Sequence, residues 1–239
     1  MTAAQTIELT LNTLPEGIPF GYQDLRIAKG NFQKVAVALS RLEKQGIIQR
    51  FQKGVYYKPR HGAFGELGIQ AEELIQTLLY KKGKRIGYLT GLGAYNRLGF
   101  STQVSATLEV GVLRLRPKKQ WGNWNVRYVQ AYTQPTGENV EWLVLLDAIK
   151  DQKRFDLSSQ ERIAIFKALL QKYADSLDRI ISLAILYPPM VRAFLGALLE
   201  TEAYPIDTVA LRESLNPLTT YKLGYSETEL PTRKKWNIV

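Results

Sequence analysis

Residues 31–60 run NFQKVAVALSRLEKQGIIQRFQKGVYYKPR, and their pattern changes period at a glycine. Before Gly46, Val35, Ala38, Leu39 and Leu42 recur at three- and four-residue steps, which lays one apolar stripe along a helix. Asn31 occupies the N-cap position and Gly46 the C-cap position. The opposite face carries Gln33, Lys34, Val37, Arg41 and Lys44. After Gly46, IIQRFQKGVYYKP predicts two strands turning at Lys53-Gly54, with Arg50 on the first strand and Pro59 as the stop.

Working upstream, Ile7, Leu11 and Leu14 keep helical spacing as far as PEGIPF. GYQDLR then predicts a second short helix with Tyr22 and Leu25 turned inward, and KGN a turn. Helix, helix, helix, hairpin is the order of a winged helix-turn-helix, assigned here to residues 1–62.

Downstream, HGAFGELG is glycine-rich and predicts a connector, so the domain boundary is expected near residues 60–66. AEELIQTLLY predicts a helix, and ATLEVGVLRL and NVRYVQAY predict strands on either side of the polar aromatic loop PKKQWGNWN. Val140, Leu143, Leu146 and Ile149 mark another helix. From residue 151 the pattern is helical, opening on a capping box at Ser158 and Glu161. Pro188 and Pro189 begin YPPMVRAFLGALLE, where missing amides cost least. In that segment Val191, Phe194, Leu195, Leu198 and Leu199 predict core packing around a close-packing Gly196. The expected class is therefore α+β. The winged domain is followed by a larger domain over 63–239, mixed α/β to about residue 150 and helical over 151–239.

Length and composition narrow the function. A chain of 239 residues suits one or two domains with a proper core. No long apolar run and no basic leader followed by an apolar block appear, so a cytoplasmic, non-membrane protein is expected. Zero cysteines exclude disulfides and thiolate chemistry, and with His61 as the one histidine a His-rich metal site is excluded too.

The formal charge of +10 points to an anionic partner. Residues 26–60 hold nine Lys or Arg against Glu43, and residues 81–127 hold ten against Glu109. Residues 128–239 carry thirteen basic and fourteen acidic side chains, so the excess lies in two blocks that alternate with apolar residues. In the first block the helix suits the major groove of duplex DNA. Gln33 matches an adenine edge, Lys34, Arg41 and Lys44 match guanine or phosphate, and Arg50 and Lys53 on the hairpin suit the neighbouring backbone. A solvated face on a protein-docking module is the bland alternative.

The second block contains Lys81, Lys82, Lys84, Arg85, Arg114, Arg116, Lys118 and Lys119, with Trp121 and Trp124 interleaved. Backbone contact to duplex DNA is favoured there over base stacking on single strands or RNA. If both blocks met one duplex and neutralised about eight phosphates, log affinity would fall with log salt at a slope of roughly −7.

Catalysis is hard to assemble. His61 sits in a glycine-rich stretch without a nucleophile motif. GLGAYNRLG fails the dinucleotide fingerprint, because Asn96 takes the third glycine's place. Asp147 and Asp151, one helical turn apart, suit a metal less well than a solvated helix face beside Lys150 and Lys153. No catalytic residue, cofactor or metal ligand is therefore expected, and a nucleotidyl- or phosphotransferase is the enzyme alternative.

YLTGLGAYNRLGFSTQVS, YPPMVRAFLGALLE and NPLTTYKLG, following a winged helix, resemble the AbiEi-like antitoxins of type IV toxin–antitoxin systems over nearly the whole chain. The resemblance implies an N-terminal domain that binds operator inverted repeats and represses its own operon, as a monomer in solution or a dimer on DNA. It also implies a C-terminal domain that counters an AbiEii-like nucleotidyltransferase toxin. By position, Gln33, Lys34, Val37, Arg41 and Lys44 match the recognition helix, and Arg50 and Lys53 the wing. The second basic block fits a positive face that continues into the C-terminal domain.

Overall fold

The computed structural model describes residues 3–25, 32–62, 65–67, 69, 71–103, 105–121 and 124–239. The expected N-cap Asn31 and the turn at 29–31 lie outside the described residues. The architecture is mixed α and β. The chain divides into two compact units, residues 1–84 with 120–124 and residues 85–119 with 125–239. The boundary expected near residues 60–66 thus falls inside the first unit.

In the first unit, α1 (Ala3–Thr13) leads to the short strand β1 (Phe20–Gly21), and a single 3-10 turn follows at Tyr22–Leu25. Helix α2 (Phe32–Lys44) and the strands β2 (Gln49–Gln52) and β3 (Val55–Tyr57) come next. The three strands form a sheet in the order β1-β3-β2, antiparallel throughout. Ile7, Leu11, Phe20, Leu25, Val35, Leu39, Leu42, Ile48 and Tyr56 bury together, so helices and hairpin share one core. Full burial of each such aliphatic side chain contributes about 1.5–3 kcal/mol.

Gly46 decides how α2 hands over to the hairpin. Its φ of 74° is left-handed, its amide donates to the Glu43 carbonyl at 3.0 Å, and the Ile47 amide donates to the Leu42 carbonyl at 3.0 Å. This pair of bonds is a Schellman ending, which glycine adopts without a Cβ penalty. Gly54, at φ 76°, turns β2 into β3.

Part of the glycine-rich stretch expected to be a connector is paired strand. Strands β4 (Arg60–Gly62) and β5 (Gly65–Leu67) pair antiparallel, His61 opposite Glu66. Helix α3 (Ala71–Leu79) follows and is tied back by an Arg60–Glu73 ion pair. Strands β6 (Tyr80–Lys81) and β7 (Lys84–Arg85) then pair around Lys82 and Gly83, both at positive φ.

In the second unit, β8 (Gly87–Thr90), α4 (Leu92–Arg97) and β9 (Thr107–Val112) precede β11 (Trp124–Gln130), while the short β10 (Lys119–Trp121) falls mostly in the 120–124 segment of the first unit. Strand β9 pairs antiparallel with β8 and parallel with β11. Helices α5 (Val140–Asp151), α6 (Ser159–Lys172), α7 (Leu177–Ala184), α8 (Pro189–Thr201) and α9 (Val209–Glu213) complete the unit. Leu143–Ile149 of α5 and Ala193–Leu199 of α8 are buried without interruption, which makes these two helices the centre of the core. The capping box at Ser158 and Glu161 forms as expected, with Pro188 at the N-cap of α8. Gly196 meets the C-terminal Trp236, whose ring lies 2.1 Å from where a Cβ would stand.

Candidate nucleic-acid interface

At about 3.6 residues per turn, or 100° per residue, Gln33, Lys34, Val37, Ser40, Arg41 and Lys44 fall within a sector of roughly 120° on α2. All six are exposed, while Val35, Leu39 and Leu42 face the core. Glu43, the acidic residue of this helix, is half-buried and outside the sector. The exposed face is therefore cationic and acid-free. Arg50 on β2 and Lys53 at the hairpin turn are exposed as well. The expected recognition face and hairpin cations are thus carried on elements that one core holds rigid.

The second block has two parts. Lys81, Lys82 and Lys84 are exposed around the β6–β7 turn, and Arg85 is half-buried. Arg114, Arg116, Lys118 and Lys119 are exposed after β9, alternating with exposed Leu113 and Leu115. Arg116 stacks its guanidinium 5.4 Å from the Tyr128 ring centre. Partial desolvation and the Arg116 charge draw the Lys119 ammonium below its usual pKa. Trp124 is half-buried. Arg127 leans 3.5 Å from Glu109, so part of its charge is met within the fold.

Sequence reasoning missed a buried polar network in the second unit. It read Asp147 as part of a solvated face, yet Asp147 is 0% exposed. Tyr88 and Thr90 donate hydroxyl bonds to it at 2.7 and 2.8 Å, and the Lys150 ammonium lies 2.7 Å away. Burial raises the Asp147 carboxyl pKa against the pull of Lys150 and the two hydroxyls. Beside it, Tyr95 donates to Asp151 at 3.0 Å, and Arg154 bridges Asp151 at 2.8 Å and Glu109 at 2.6 Å. Gly91 makes room for Glu109, because a Cβ there would stand 2.4 Å from its carboxyl carbon.

Three carboxylates thus face Lys150, Arg154 and Arg127. This arrangement ties β8, β9 and α5 to one another. An aspartate inside the otherwise apolar run LVLLDAI, with lysine three residues on, was the available signal. His61 is exposed on β4. Among the described residues, no three His, Asp or Glu side chains are grouped to hold a metal ion. No described helix is long and apolar enough to cross a membrane.

Residues 6–113 match the model of DUF6088, a family of unknown function. The match takes in the exposed α2 face, the hairpin and β8 to β9, and covers less than half of the chain. No curated protein matches. The crystal structure of RV2827C from Mycobacterium tuberculosis is similar in fold, with a TM-score of 0.50 at 13% identity, over 99% of this chain and 90% of that one.

Proposed function

We propose that the chain is a sequence-specific duplex-DNA-binding repressor whose first unit works as a winged helix-turn-helix. Helix α2 enters the major groove, and the β2–β3 hairpin lies on the flanking backbone. The observation that carries the reading is the acid-free sector of Gln33, Lys34, Val37, Arg41 and Lys44, exposed on a helix whose other face is core. The β2–β3 hairpin that follows α2, joined by β1 into an antiparallel sheet, and the +10 charge support it. From the family resemblance, the target is an inverted repeat in the protein's own operon, bound by two copies. The same resemblance gives the second unit the antitoxic role against a nucleotidyltransferase toxin.

The test is selection of bound duplexes from a random pool by the full-length protein, followed by titration of the selected and scrambled duplexes with tRNA as competitor. A selected site held at least a hundredfold tighter than its scrambled version meets the expectation. Equal affinity for both, or preferential retention of tRNA, overturns it. For the antitoxic role, co-expression should restore growth to cells making an AbiEii-like nucleotidyltransferase toxin, and unrelieved toxicity overturns it.

A further inference from the structure

Val37 sits in the middle of the cationic sector, one turn beyond Gln33 and one turn before Arg41, and is 62% exposed. Isolated exposed valines are ordinary, but this position has two further features. Valine is β-branched and a weaker helix former than the Ala, Lys, Arg or Gln that an exposed helical site accepts without loss. Its neighbours on the face are Gln33, Lys34, Ser40, Arg41 and Lys44, so nothing apolar on the helix covers it.

Resting on the reading above, in which α2 occupies the major groove, we propose that Val37 is a specificity-determining residue that packs against the 5-methyl group of a thymine. The methyl is the apolar feature a B-DNA major groove offers, and a small branched side chain meets it without needing a polar partner. Gln33 and Val37 are about 6 Å apart along the helix axis, which corresponds to roughly two base-pair steps. A thymine read by Val37 therefore lies within about two base pairs of the adenine suited to Gln33. Neighbouring Lys34 and Arg41 hold the phosphates or guanines on either side, so the half-site has an A·T centre within a G- or backbone-clamped frame.

The experiment uses the full-length protein and the duplex recovered by selection. Each thymine is replaced in turn by deoxyuridine, which removes the methyl and leaves the base-pairing edge unchanged, and affinity is measured for wild type and Val37→Ser. One substitution per half-site is expected to weaken the wild-type protein about fourfold, the worth of one buried methyl group. The same substitution should leave Val37→Ser unaffected. Circular dichroism and thermal unfolding of the variant check that it is folded. If no deoxyuridine weakens wild-type binding, or if both proteins lose affinity equally, the assignment of Val37 is overturned while sequence-specific binding stands. Failure to recover any preferred duplex overturns the DNA-binding reading itself, and the assignment with it.

Discussion

Arg41 and Asp147 carry opposite kinds of residue-level consequence. Arg41 is exposed on α2, so its removal leaves the fold alone and bears on binding only. If its guanidinium holds a guanine edge, Arg41→Ala weakens binding to the selected duplex by about 1–3 kcal/mol and relaxes the preference at one base pair. Titration of single-base variants of the site measures this, and unchanged affinity would take Arg41 out of the interface. Asp147 is buried with Tyr88, Thr90 and Lys150 bonded to it. Asp147→Ala leaves Lys150 and two hydroxyls facing an uncompensated gap, which costs about 3–5 kcal/mol. Urea unfolding followed by circular dichroism should show the midpoint fall. A midpoint within experimental scatter of wild type would mean that the network carries no stability.

At the level of elements, α8 and the C-terminal segment make the sharpest test. A 3-10 turn over Arg233–Trp236 buries Trp236 completely against Gly196. The indole N–H donates to Glu200 at 3.1 Å, Lys235 reaches the same carboxylate at 2.8 Å, and the Thr208 hydroxyl donates to it at 3.0 Å. Gly196→Val would put side-chain atoms where the indole stands, and overpacking of this kind costs about 1–3 kcal/mol. Thermal unfolding and tryptophan emission report it: the midpoint drops and the emission shifts to the red as Trp236 is displaced.

Acid should loosen the same contact. Partial burial pushes the Glu200 carboxyl upward, but Lys235, the indole and Thr208 outweigh it and hold the pKa below the usual value. A depressed carboxylate gives its full stabilisation above the unfolded-state pKa and loses it as pH falls through the folded-state value. Wild type should therefore lose more stability than Glu200→Gln between about pH 5 and pH 3. Parallel pH profiles would argue against the carboxylate as the latch.

Elements with one strong local signal were legible in the sequence. The α2 stripe, the Gly46 ending, the hairpin turn at Gly54, the Ser158 capping box and the α8 core all depend on neighbours within a few residues. The pairs that depend on distant chain were not. Nothing local says that β9 and β11 run parallel, or that Trp236 fills the notch at Gly196. Strands as short as β4 and β5 give no periodicity to detect, so their glycines suggested a connector. The candidate face was readable because exposed positions on one helix follow from the buried ones. Asp147 was not, because its partners Tyr88 and Thr90 are 59 and 57 residues away.

For the whole molecule, charge is the quantity that reaches furthest. The net +10 comes from the first half of the sequence, since residues 128–239 are close to neutral. Each cation that neutralises a phosphate adds about 0.9 to the slope of log affinity against log salt. If Lys34, Arg41, Lys44, Arg50 and Lys53 all met phosphates, they would account for a slope of at most roughly −4.5. A steeper value requires cations from elsewhere, and the exposed Arg114, Arg116, Lys118 and Lys119 are the concentrated supply in the second unit. The full-length protein is expected to show a slope near −7 on its selected duplex, about eight phosphates' worth. Replacing those four side chains by alanine should bring it to roughly −4 while leaving the base preferences in place, because phosphate contacts position a protein without reading sequence. Anisotropy titrations between about 50 and 300 mM salt give both numbers. A quadruple variant whose slope equals that of wild type would place this segment off the duplex and confine the interface to the first unit.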